Sequence, residues 1–288
     1  MKNKLPIVAV IPTYNAANTL PRLLDELIRQ KYDKIFVIDD HSTDNTVEVV
    51  KSYEGKVQLI EGEENVGSGA NRNRIIGHTD KAILHFIDAD MQLLSRNTPQ
   101  IIRSLKLANN TAYVGGLIRN PNGEQNPFNY GPRASLVTTL QSWVQYAIWF
   151  LGRYFRPLAS ILQTSLQPML HNWPNIYRKP RPRQTFWAAE SNMVIKAEMY
   201  ERLGGYDPIF KYSEITDFSI RLHRLGLKTY FNPNIDALHD TIDNILYRSP
   251  EKHAAFLKHI QKHGYWAFVI PKVGDHLAGR KTQKRYHR

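Results

Sequence analysis

Short apolar runs, separated by stretches with helical spacing of apolar side chains, are the feature that most restricts what this chain can fold into. Four such runs lie at residues 7–11, 35–38, 57–60 and 82–87. Strands that alternate with helices indicate βαβ units and a mostly parallel, doubly wound sheet. The N-terminal part of the chain is therefore predicted to be an α/β domain.

Three of these runs lead directly into polar residues, at the point where a strand would end. The polar clusters are Pro12-Thr13-Tyr14-Asn15, Asp39-Asp40-His41-Ser42 and Asp88-Ala89-Asp90. Parallel α/β sheets bind ligands at the carboxyl ends of their strands, where neighbouring loops meet. We therefore expect the three clusters to share one rim of the sheet and to form the main binding site.

The third cluster is an Asp-x-Asp pair, formed by Asp88 and Asp90 around Ala89. A strand that ends in two carboxylates can offer one to a ribose and one to a divalent cation. Carboxylate oxygens suit Mg²⁺ and Mn²⁺, and such a cation can bridge two phosphates. The alternative is an exposed turn in which the aspartates cap a helix.

Carboxylates also follow the second run, where Asp39 and Asp40 can accept hydrogen bonds from a nucleobase N–H or from a ribose. The alternative is helix capping, because a helix is predicted to start near Thr46. The residues with capping side chains are Ser42, Thr43 and Asp44. Both interpretations hold together if the first two aspartates bind a ligand and Asp44 is structural.

A glycine-rich turn at residues 65–74 leads into a helix predicted for residues 68–77. It resembles a phosphate cradle, in which backbone N–H groups at a helix start face an anion. Arg72 and Arg74 would add positive charge there. The alternative is that these arginines are only solvated on a helix surface.

Taken together, these segments resemble the sequence motifs of glycosyltransferase family 2. The resemblance rests on order and spacing over residues 6–90, and on a second block at residues 190–226 that is similar to the acceptor-side half of the family. The second block includes Leu203-Gly204-Gly205-Tyr206-Asp207. The resemblance covers roughly half of the chain. It implies a GT-A fold and inverting transfer of a sugar from a nucleotide-sugar donor.

The resemblance also implies a role for individual residues. A donor of the UDP or GDP type would contact Pro12, Thr13, Tyr14, Asp39, Asp40, Arg72, Asp88 and Ala89. A Mn²⁺ or Mg²⁺ ion would be bound by Asp88, Asp90 and His239. His239 follows a strand-like run and is similar to a histidine that closes the metal site in many relatives; the alternative is a surface histidine.

The catalytic base is where the chain departs most from the family. Relatives commonly have Glu-Asp-x-Asp before an amphipathic helix, with the Asp after Glu as the base, but Ile215 stands at that position and cannot accept a proton. The resemblance leaves Glu214 as the favoured base and Asp217 as a helix cap or a partner of Arg221. If neither is catalytic, the outside candidates are Glu190 and Asp207.

Three smaller departures fall in the donor motifs: His41 and Ile75 each replace a Gly, and Asn71 replaces an Ala. The turn at His41 must therefore tolerate a side chain. The chain contains no Gln-x-x-Arg-Trp, the motif of processive synthases in this family. We therefore expect addition of a single sugar.

The middle of the chain differs from the N-terminal part in its composition and its apolar pattern. Residues 134–152 carry no charge and place apolar side chains on one helical stripe, and a second stripe covers residues 158–166. A basic, proline-broken loop follows at residues 178–183. The stripes fit either a helical subdomain or oligomer interface, or a segment that lies in the surface of an anionic membrane. The second interpretation would accompany a lipid-linked acceptor.

Charge and cysteine content limit the partners. The net charge of +12 over 288 residues predicts an anionic partner, and the absence of cysteine excludes disulfides, thiolate nucleophiles and cysteine-based zinc sites. The N-terminal run does not have the form of a signal peptide, and no stretch predicts a clean transmembrane helix. We therefore expect a cytoplasmic protein, with peripheral attachment to the cytoplasmic face of a membrane as an option.

The predicted organisation is a GT-A domain at residues 1–240, followed by a basic helical extension at residues 241–288. Within the domain, the nucleotide-binding half, an amphipathic helical insertion and the acceptor-side half cover about 1–95, 125–185 and 186–240. The main function predicted is transfer of a sugar to a glycan or lipid-linked acceptor. Ile215 leaves open a nucleotide-sugar-binding protein with weak catalysis. No nucleic-acid partner is expected, because only the net charge favours one.

Overall fold

The computed structural model describes residues 5–79, 81–105, 107–211, 213–240 and 250–269. The strands are β1 (Ile7–Thr13), β2 (Lys34–Asp39), β3 (Gln58–Glu61), β4 (Ile83–Ile87), β5 (Met91–Leu93), β6 (Thr111–Arg119), β7 (Tyr130–Gly131), β8 (Arg183–Thr185), β9 (Trp187–Ala188), β10 (Asn192–Lys196) and β11 (Lys228–His239). The helices are α1 (Leu20–Arg29), α2 (Thr46–Lys51), α3 (Ser68–Arg72), α4 (Thr98–Ser104), α5 (Leu136–Gly152), α6 (Arg156–Ser165), α7 (Ala197–Arg202), α8 (Glu214–Arg224), α9 (Pro250–His263) and α10 (Tyr265–Val269).

The main sheet has the strand order β3-β2-β1-β4-β10-β6-β11-β5. Strand β5 pairs with the C-terminal end of β11, and β8 pairs with the N-terminal part of β11. Strands β3, β2, β1 and β4 run parallel, and β6 and β11 continue in the same direction on the far side of the antiparallel β10. The chain leaves β1 toward β2 on one side and returns to β4 on the other. This reversal creates a crevice at the carboxyl ends of β1 and β4. The predicted α/β class and the mostly parallel sheet are confirmed.

The sheet is covered on both faces, which explains why its strands read as continuous apolar runs. Side chains of β1 alternate between the two apolar clusters: Val8 and Val10 belong to one, and Ile7, Ala9 and Ile11 to the other. The apolar stripe of α1 packs on the second cluster and consists of Leu20, Leu23, Leu24 and Leu27. Packing from both sides fixes the positions of the strand ends that form the rim.

Two helices differ from their predicted extents. The helix predicted at residues 68–77 is the short α3 followed by a 3-10 turn at Asn73–Ile75, and the chain then turns at Gly77, whose φ is 85°. Helix α8 begins at Glu214, within the segment that precedes the amphipathic helix in the family's motif, so it starts earlier than the resemblance implied. The earlier start puts Glu214 in the first turn, at the edge of the rim.

The insertion forms a helical pair with a small core of its own. Helices α5 and α6 pack through a cluster that includes Ile148, Ala159, Leu170 and Trp173. The first half of α5 and parts of α6 leave apolar side chains exposed, namely Leu136, Val137, Leu140, Trp143, Leu158 and Ile161. The packed subdomain predicted for the stripes is therefore present, and it leaves an exposed apolar face. Within the described residues, no helix is long and apolar enough to cross a bilayer.

The C-terminal segment is helical where the structure describes it, in α9 and α10. Residues 241–249 and the basic tail predicted at 280–288 lie outside the described residues. The division of the chain near residue 240 stays a prediction.

Candidate active site

The loops that follow β1 and β2 are joined by hydrogen bonds at the rim of the sheet. Thr13 pairs with Asp39 in the β1–β2 register, and the backbone N–H of Asp40 donates to the Thr13 carbonyl oxygen at 2.8 Å. Beyond the strand ends, the N–H of Asn15 donates to Ser42 Oγ at 2.9 Å. These bonds hold the two polar clusters side by side, as the sequence predicted.

The tight turn between them requires left-handed backbone at His41, where φ is 64°. A non-glycine residue costs about 1–2 kcal/mol in this conformation. The histidine side chain is exposed, so the turn accommodates it without a clash. This is how the chain tolerates the replacement of the family's glycine.

A pocket of about 380 Å³ opens between these loops and the glycine-rich turn. Its walls are formed by Pro12, Thr13, Tyr14, Asp40, Asn65, Gly67, Ser68, Asn71 and Lys211. The predicted donor residues Pro12, Thr13, Tyr14 and Asp40 are thus together, and the Tyr14 ring is half exposed. Lys211 was not predicted, because a single lysine far along the chain has no motif to mark it.

Asp39 and Asp40 are both buried, and both accept hydrogen bonds from the protein. Asp39 accepts from the N–H of Ser42 at 2.8 Å and closes the turn. Asp40 accepts from the N–H groups of Val66 and Gly67 at 3.0 and 2.8 Å, so it fastens the glycine-rich turn to the sheet. Of the two, only Asp40 lines the pocket.

Two neighbouring side chains complete this local frame. Arg74 Nη1 lies 2.9 Å from Asp40 Oδ1, and Asn71 donates to the Ile38 carbonyl oxygen at 2.8 Å. Asp44 accepts from the N–H of Thr46 at 3.0 Å at the start of α2, which is the structural role that the sequence left open for it. At the position where the family has alanine, the side-chain amide of Asn71 thus bonds the backbone of β2.

Arg72 is a buried charge in the site, with 1% of the residue exposed. Its Nη2 donates to Asp88 Oδ1 at 2.5 Å, and the guanidinium lies 5.9 Å from the centre of the Tyr206 ring. Burial lowers the pKa of Arg72, but the carboxylate of Asp88 and further acidic groups raise it above its ordinary value. The Arg72 Nε has no hydrogen-bond partner among the described residues.

Two glutamates from the second half of the chain face this arginine. Burial and, second to it, the negative charge of Glu214 raise the pKa of Glu190 to about 8, against the opposing effect of Arg72. Burial also raises the pKa of Glu214, again against the pull of Arg72. The backbone contact that brings Glu190 close is the bond from the N–H of Asp88 to the Ser191 carbonyl oxygen, at 3.2 Å. Carboxyl groups with pKa values moved toward neutrality are suited to proton transfer.

Glycine at position 69 makes room for the base candidate. A Cβ atom on Gly69 would lie 2.8 Å from Glu214 Cγ, so any larger residue would push this side chain out of place. Ile215, the next residue, is buried in the apolar cluster under the sheet. The residue in the family's base position therefore points into the core.

Asp217 has different surroundings. It is fully buried and contacts Arg221 Nε at 2.8 Å, His263 Nε2 at 2.8 Å and Lys262 Nζ at 2.6 Å. Burial raises the pKa of Asp217, but these partners outweigh it and hold the pKa well below its usual range. Of the two roles that the sequence left for Asp217 outside catalysis, the structure shows the ion pair with Arg221. The carboxylate also fastens α9 to α8.

Two of the three predicted metal ligands, Asp90 and His239, lie close together. His239 Nε2 lies 3.3 Å from Asp90 Oδ1, and the N–H of Asp240 donates to the Asp90 carbonyl oxygen at 3.0 Å. Asp88 instead contacts Arg72. Among the residues that the structure describes, no group of three or more His, Cys, Asp or Glu side chains is arranged to hold a metal ion. Ala89, the remaining predicted donor contact, is buried between the two aspartates.

Asn73 connects the two halves of the site and was given no role from the sequence. Its Oδ1 accepts from the N–H of Tyr206 and from the Tyr200 hydroxyl, each at 2.8 Å. A Cβ atom on Gly205 would lie 2.1 Å from this oxygen, and φ there is 63°, so only glycine fits. The turn that the sequence identified as Gly204-Gly205-Tyr206 is thus fixed against α3.

Comparison with known proteins identifies the family. The family model described as glycosyl transferase family 2 matches residues 8–178, which is more than half of the chain. The chain belongs to glycosyltransferase family 2. The resemblance inferred from the motifs is confirmed, and the chain is a glycosyltransferase enzyme. A curated relative, glycosyltransferase AglE of Haloferax volcanii, is 37% identical over 99 residues, which is 31% of this chain and 32% of that protein.

Solved structures agree on the fold of this family 2 glycosyltransferase. GalNAc-T7 with UDP, GalNAc and Mn²⁺ is similar over 93% of this chain and 51% of that chain, with a TM-score of 0.61 and 18% identity. The mannosyltransferase PcManGT of Pyrobaculum calidifontis, in complex with GDP-Man and Mn²⁺, is similar over 96% of this chain and 70% of that chain, with a TM-score of 0.59 and 17% identity. The GT-A fold predicted from the motifs is confirmed. The sequence match spans about a third of the AglE chain.

Proposed function

We propose that this glycosyltransferase moves one sugar from a nucleotide-diphosphate sugar to an acceptor hydroxyl, with inversion and with the help of Mn²⁺ or Mg²⁺. The observation that carries the proposal is the position of the rim pocket beside the buried group formed by Arg72, Asp88, Glu190 and Glu214. One part of this arrangement is suited to a nucleotide, and the other part is suited to proton transfer.

The donor would bind with its nucleotide in the rim pocket. Tyr14 offers a half-exposed ring to the base, and Lys211 adds a positive charge where phosphates would lie. Asp40 and Asp39 would act mainly by holding the loops in place, given the hydrogen bonds they already accept. The similar structures that contain UDP or GDP-Man support a donor of the UDP or GDP type.

The metal would be held by Asp90 and His239, with Asp88 as the third ligand named from the resemblance. Mg²⁺ in nucleotide sites is commonly bound by one or two carboxylates together with substrate phosphates, so a site with few protein ligands fits. Once bound, the ion would neutralise charge on the departing diphosphate. Mn²⁺ in both similar structures supports this assignment. Arg72 donates a hydrogen bond to Asp88 and holds this side chain in place.

Glu214 would be the catalytic base. The acceptor O–H would give its proton to the Glu214 carboxylate while its oxygen bonds to the anomeric carbon, and the bond from that carbon to the diphosphate oxygen would break. Burial raises the pKa of both glutamates, and the charge of Arg72 opposes this shift at Glu214 and so favours its ionised form. A base must be ionised to accept the proton.

The acceptor would be a glycan or a lipid-linked molecule, with the enzyme in peripheral contact with an anionic membrane. The exposed apolar side chains of α5 and α6 support the membrane contact, because these helices and the basic loop at 178–183 belong to the same insertion. Apolar faces next to basic residues bind the surface of anionic bilayers.

Calorimetry with UDP, GDP and their sugars, in the presence and absence of Mn²⁺, tests the donor site. Wild type should bind one nucleotide class with a metal requirement, and Asp90→Ala should lose that requirement together with most of the affinity. Asp33→Ala is the matched control, because Asp33 lies at the opposite end of β2 and accepts from the N–H of Ile7. Equal affinities in all three proteins, or no binding at all, would contradict the proposal.

A further inference from the structure

A second pocket lies away from the rim, between the insertion and β8. Its volume is about 630 Å³, and we refer to it as the arginine-rich pocket. Four basic side chains line it: Arg178, Lys179, Arg181 and Arg183. Neither Asp nor Glu is present among its described lining residues. A concave surface with several cations and no carboxylate attracts an anion strongly.

The remaining lining is suited to a hydroxylated ligand. Side-chain amides reach the pocket from Gln125, Gln167, Asn175 and Gln184, and the rings of Tyr130 and Trp173 form part of its wall. Amides bond hydroxyl groups as donors or acceptors, and aromatic rings pack on the apolar faces of carbon chains and sugars. The composition therefore fits a phosphate ester of a sugar or polyol better than a bare anion.

Two buried polar atoms in this lining have no hydrogen-bond partner among the described residues. They are Nε of Arg183 and the side-chain oxygen of Gln125, whose residue is only 5% exposed. Leaving a buried donor or acceptor without a partner costs about 1–3 kcal/mol. The protein itself therefore leaves hydrogen-bonding capacity of the Arg183 guanidinium and the Gln125 amide unused in the wall of the pocket.

The protein holds the walls of this pocket in place without a ligand. Arg183 lies over the Tyr130 ring, with 5.1 Å from its guanidinium carbon to the ring centre. Asn175 donates to Gln167 Oε1 at 2.9 Å, and Trp173 Nε1 donates to Gln141 of α5 at 3.3 Å. A ligand would therefore meet a largely formed site and lose less entropy on binding.

The position of the pocket connects it with the reaction. Arg183 and Glu190 belong to one segment and are seven residues apart, so even a fully extended chain would place them within about 25 Å. Gln141, which bonds Trp173, adjoins Leu140 on the exposed apolar half of α5. The pocket thus adjoins α5 through Trp173 and lies within about 25 Å of Glu190.

We propose that the arginine-rich pocket binds a sugar-phosphate or polyol-phosphate ester that forms part of the acceptor. Its role in the reaction rests on the sugar transfer proposed above, whereas phosphate binding itself does not. The ester group could come from a water-soluble chain or from a lipid headgroup, and both present the same chemistry to the pocket.

Two probes that each contain a glycerol phosphate group, one as a soluble monoester and one as a lipid diester, separate these sources. Glycerol 1-phosphate serves as the soluble probe in calorimetry without metal or nucleotide, and vesicles of phosphatidylglycerol in phosphatidylcholine serve as the lipid probe in cosedimentation. Arg178→Gln/Arg181→Gln removes two exposed cations from the pocket, and Arg183→Gln removes the half-buried one. The matched control is Lys34→Gln/Lys81→Gln, which removes two exposed lysines from a different pocket of about 500 Å³.

Both pocket variants should weaken binding to at least one probe by about tenfold or more, because charge-assisted hydrogen bonds to phosphate are lost. The control should change it by less than about twofold, as expected for distant, screened charges. Loss with the soluble probe would assign a water-soluble acceptor, and loss with vesicles alone would assign a lipid-borne phosphate. Equal weakening in pocket and control variants, or no binding to either probe, would overturn the proposal. Phosphate binding in a protein that binds no nucleotide would keep the pocket and contradict the transferase proposal instead.

Discussion

The rim and the arginine-rich pocket differ in whether their charged side chains are paired with opposite charges. At the rim, buried aspartates have cationic partners: Asp40 contacts Arg74 at 2.9 Å, and Asp88 contacts Arg72 at 2.5 Å. In the arginine-rich pocket, four cations share a lining that has no described carboxylate. Paired charges fix a geometry, whereas an unbalanced set of cations attracts an anionic ligand. The contrast indicates that internal ion pairs hold the rim in place, whereas the second pocket keeps an excess of positive charge.

Apolar packing differs between the same two regions. The sheet behind the rim is covered on both faces, and the side chains of β1 are almost wholly buried. The first half of α5 exposes large apolar side chains, with Leu140 62% exposed. The rim therefore stands on a rigid support, and the insertion has an apolar face left for a partner. The four predictions below test this difference, from the largest expected effect to the smallest.

Arg72→Met should be the most damaging single change, because it leaves Asp88, Glu190 and Glu214 without their shared cation. Removing one partner from a buried ion pair costs about 3–5 kcal/mol. We expect a loss of that size in the free energy of unfolding, measured with urea, together with loss of sugar transfer.

Arg29→Met is the matched control for this change. Arg29 pairs with Glu26 at the surface, and such pairs contribute about 0–1 kcal/mol. If both variants lost the same free energy of unfolding, the rim would not depend on its buried ion pair, and the contrast with the second pocket would fail.

Glu214→Gln should abolish the chemistry and spare the fold. Loss of a general base commonly lowers the rate about 10²- to 10⁴-fold, while nucleotide affinity should stay unchanged. Asp217→Asn should show the reverse, with a lower free energy of unfolding from the weakened contact between α8 and α9 and a kcat close to wild type.

The measurements are kcat and KM for the donor and urea unfolding of both variants. A kcat for Asp217→Asn as low as that of Glu214→Gln, at equal folded fraction, would move the base to Asp217. Glu190→Gln is informative as a third variant: because burial and the charge of Glu214 raise the pKa of Glu190, its loss should lower kcat less than the loss of Glu214.

The sequence predicts the rim well because local patterns determine it. Each strand of the first half is an apolar run, each ends in polar residues, and the parallel arrangement then brings Thr13, Asp40 and Asp88 to one edge. A single turn was also foreseeable, since His41 replaces a glycine and indeed takes a left-handed conformation. These features depend on neighbours in the sequence.

The partners of the charged residues could not be predicted in the same way. Arg72 was predicted as a donor contact, and the structure pairs it with Asp88 and places it near two glutamates more than a hundred residues later in the chain. Which cation meets which carboxylate depends on how both halves fold together. Asn73 and Lys211 had no signal of their own, because a single polar residue without spacing or repetition marks no site.

Acid should destabilise the sheet through His85. This residue is fully buried in β4, between the Tyr32 hydroxyl and Asn192 Oδ1, each at 2.8 Å, and burial lowers its pKa to about 4. The folded-state pKa lies below the ordinary value, so the unfolded chain binds the proton first. Stability is therefore complete above pH 6.5 and falls as the pH drops toward 4.

The size of this effect is about 3 kcal/mol, from a shift of 2.5 units between 6.5 and about 4. Urea unfolding at pH 7, 5.5 and 4.5 measures this effect. The free energy of unfolding of His85→Gln should be lower than that of wild type at pH 7 and should change less with pH. His259 has a similarly lowered pKa of about 4 through burial, so some pH dependence should remain in that variant. An unchanged pH slope in His85→Gln would exclude His85 as its source.

Polar substitutions on the exposed face of α5 should have the smallest effect on stability. Leu140→Gln/Trp143→Gln changes two side chains that are 62% and 44% exposed, so the free energy of unfolding should stay within about 0.5 kcal/mol of wild type. Ile148→Ala on the packed face of the same helix should cost about 2–5 kcal/mol. Cosedimentation with phosphatidylglycerol vesicles should fall in the double variant and stay unchanged in folded Ile148→Ala. If the double variant instead lost as much stability as Ile148→Ala, the first half of α5 would be packed against protein in solution, and its apolar face would not be available to a membrane.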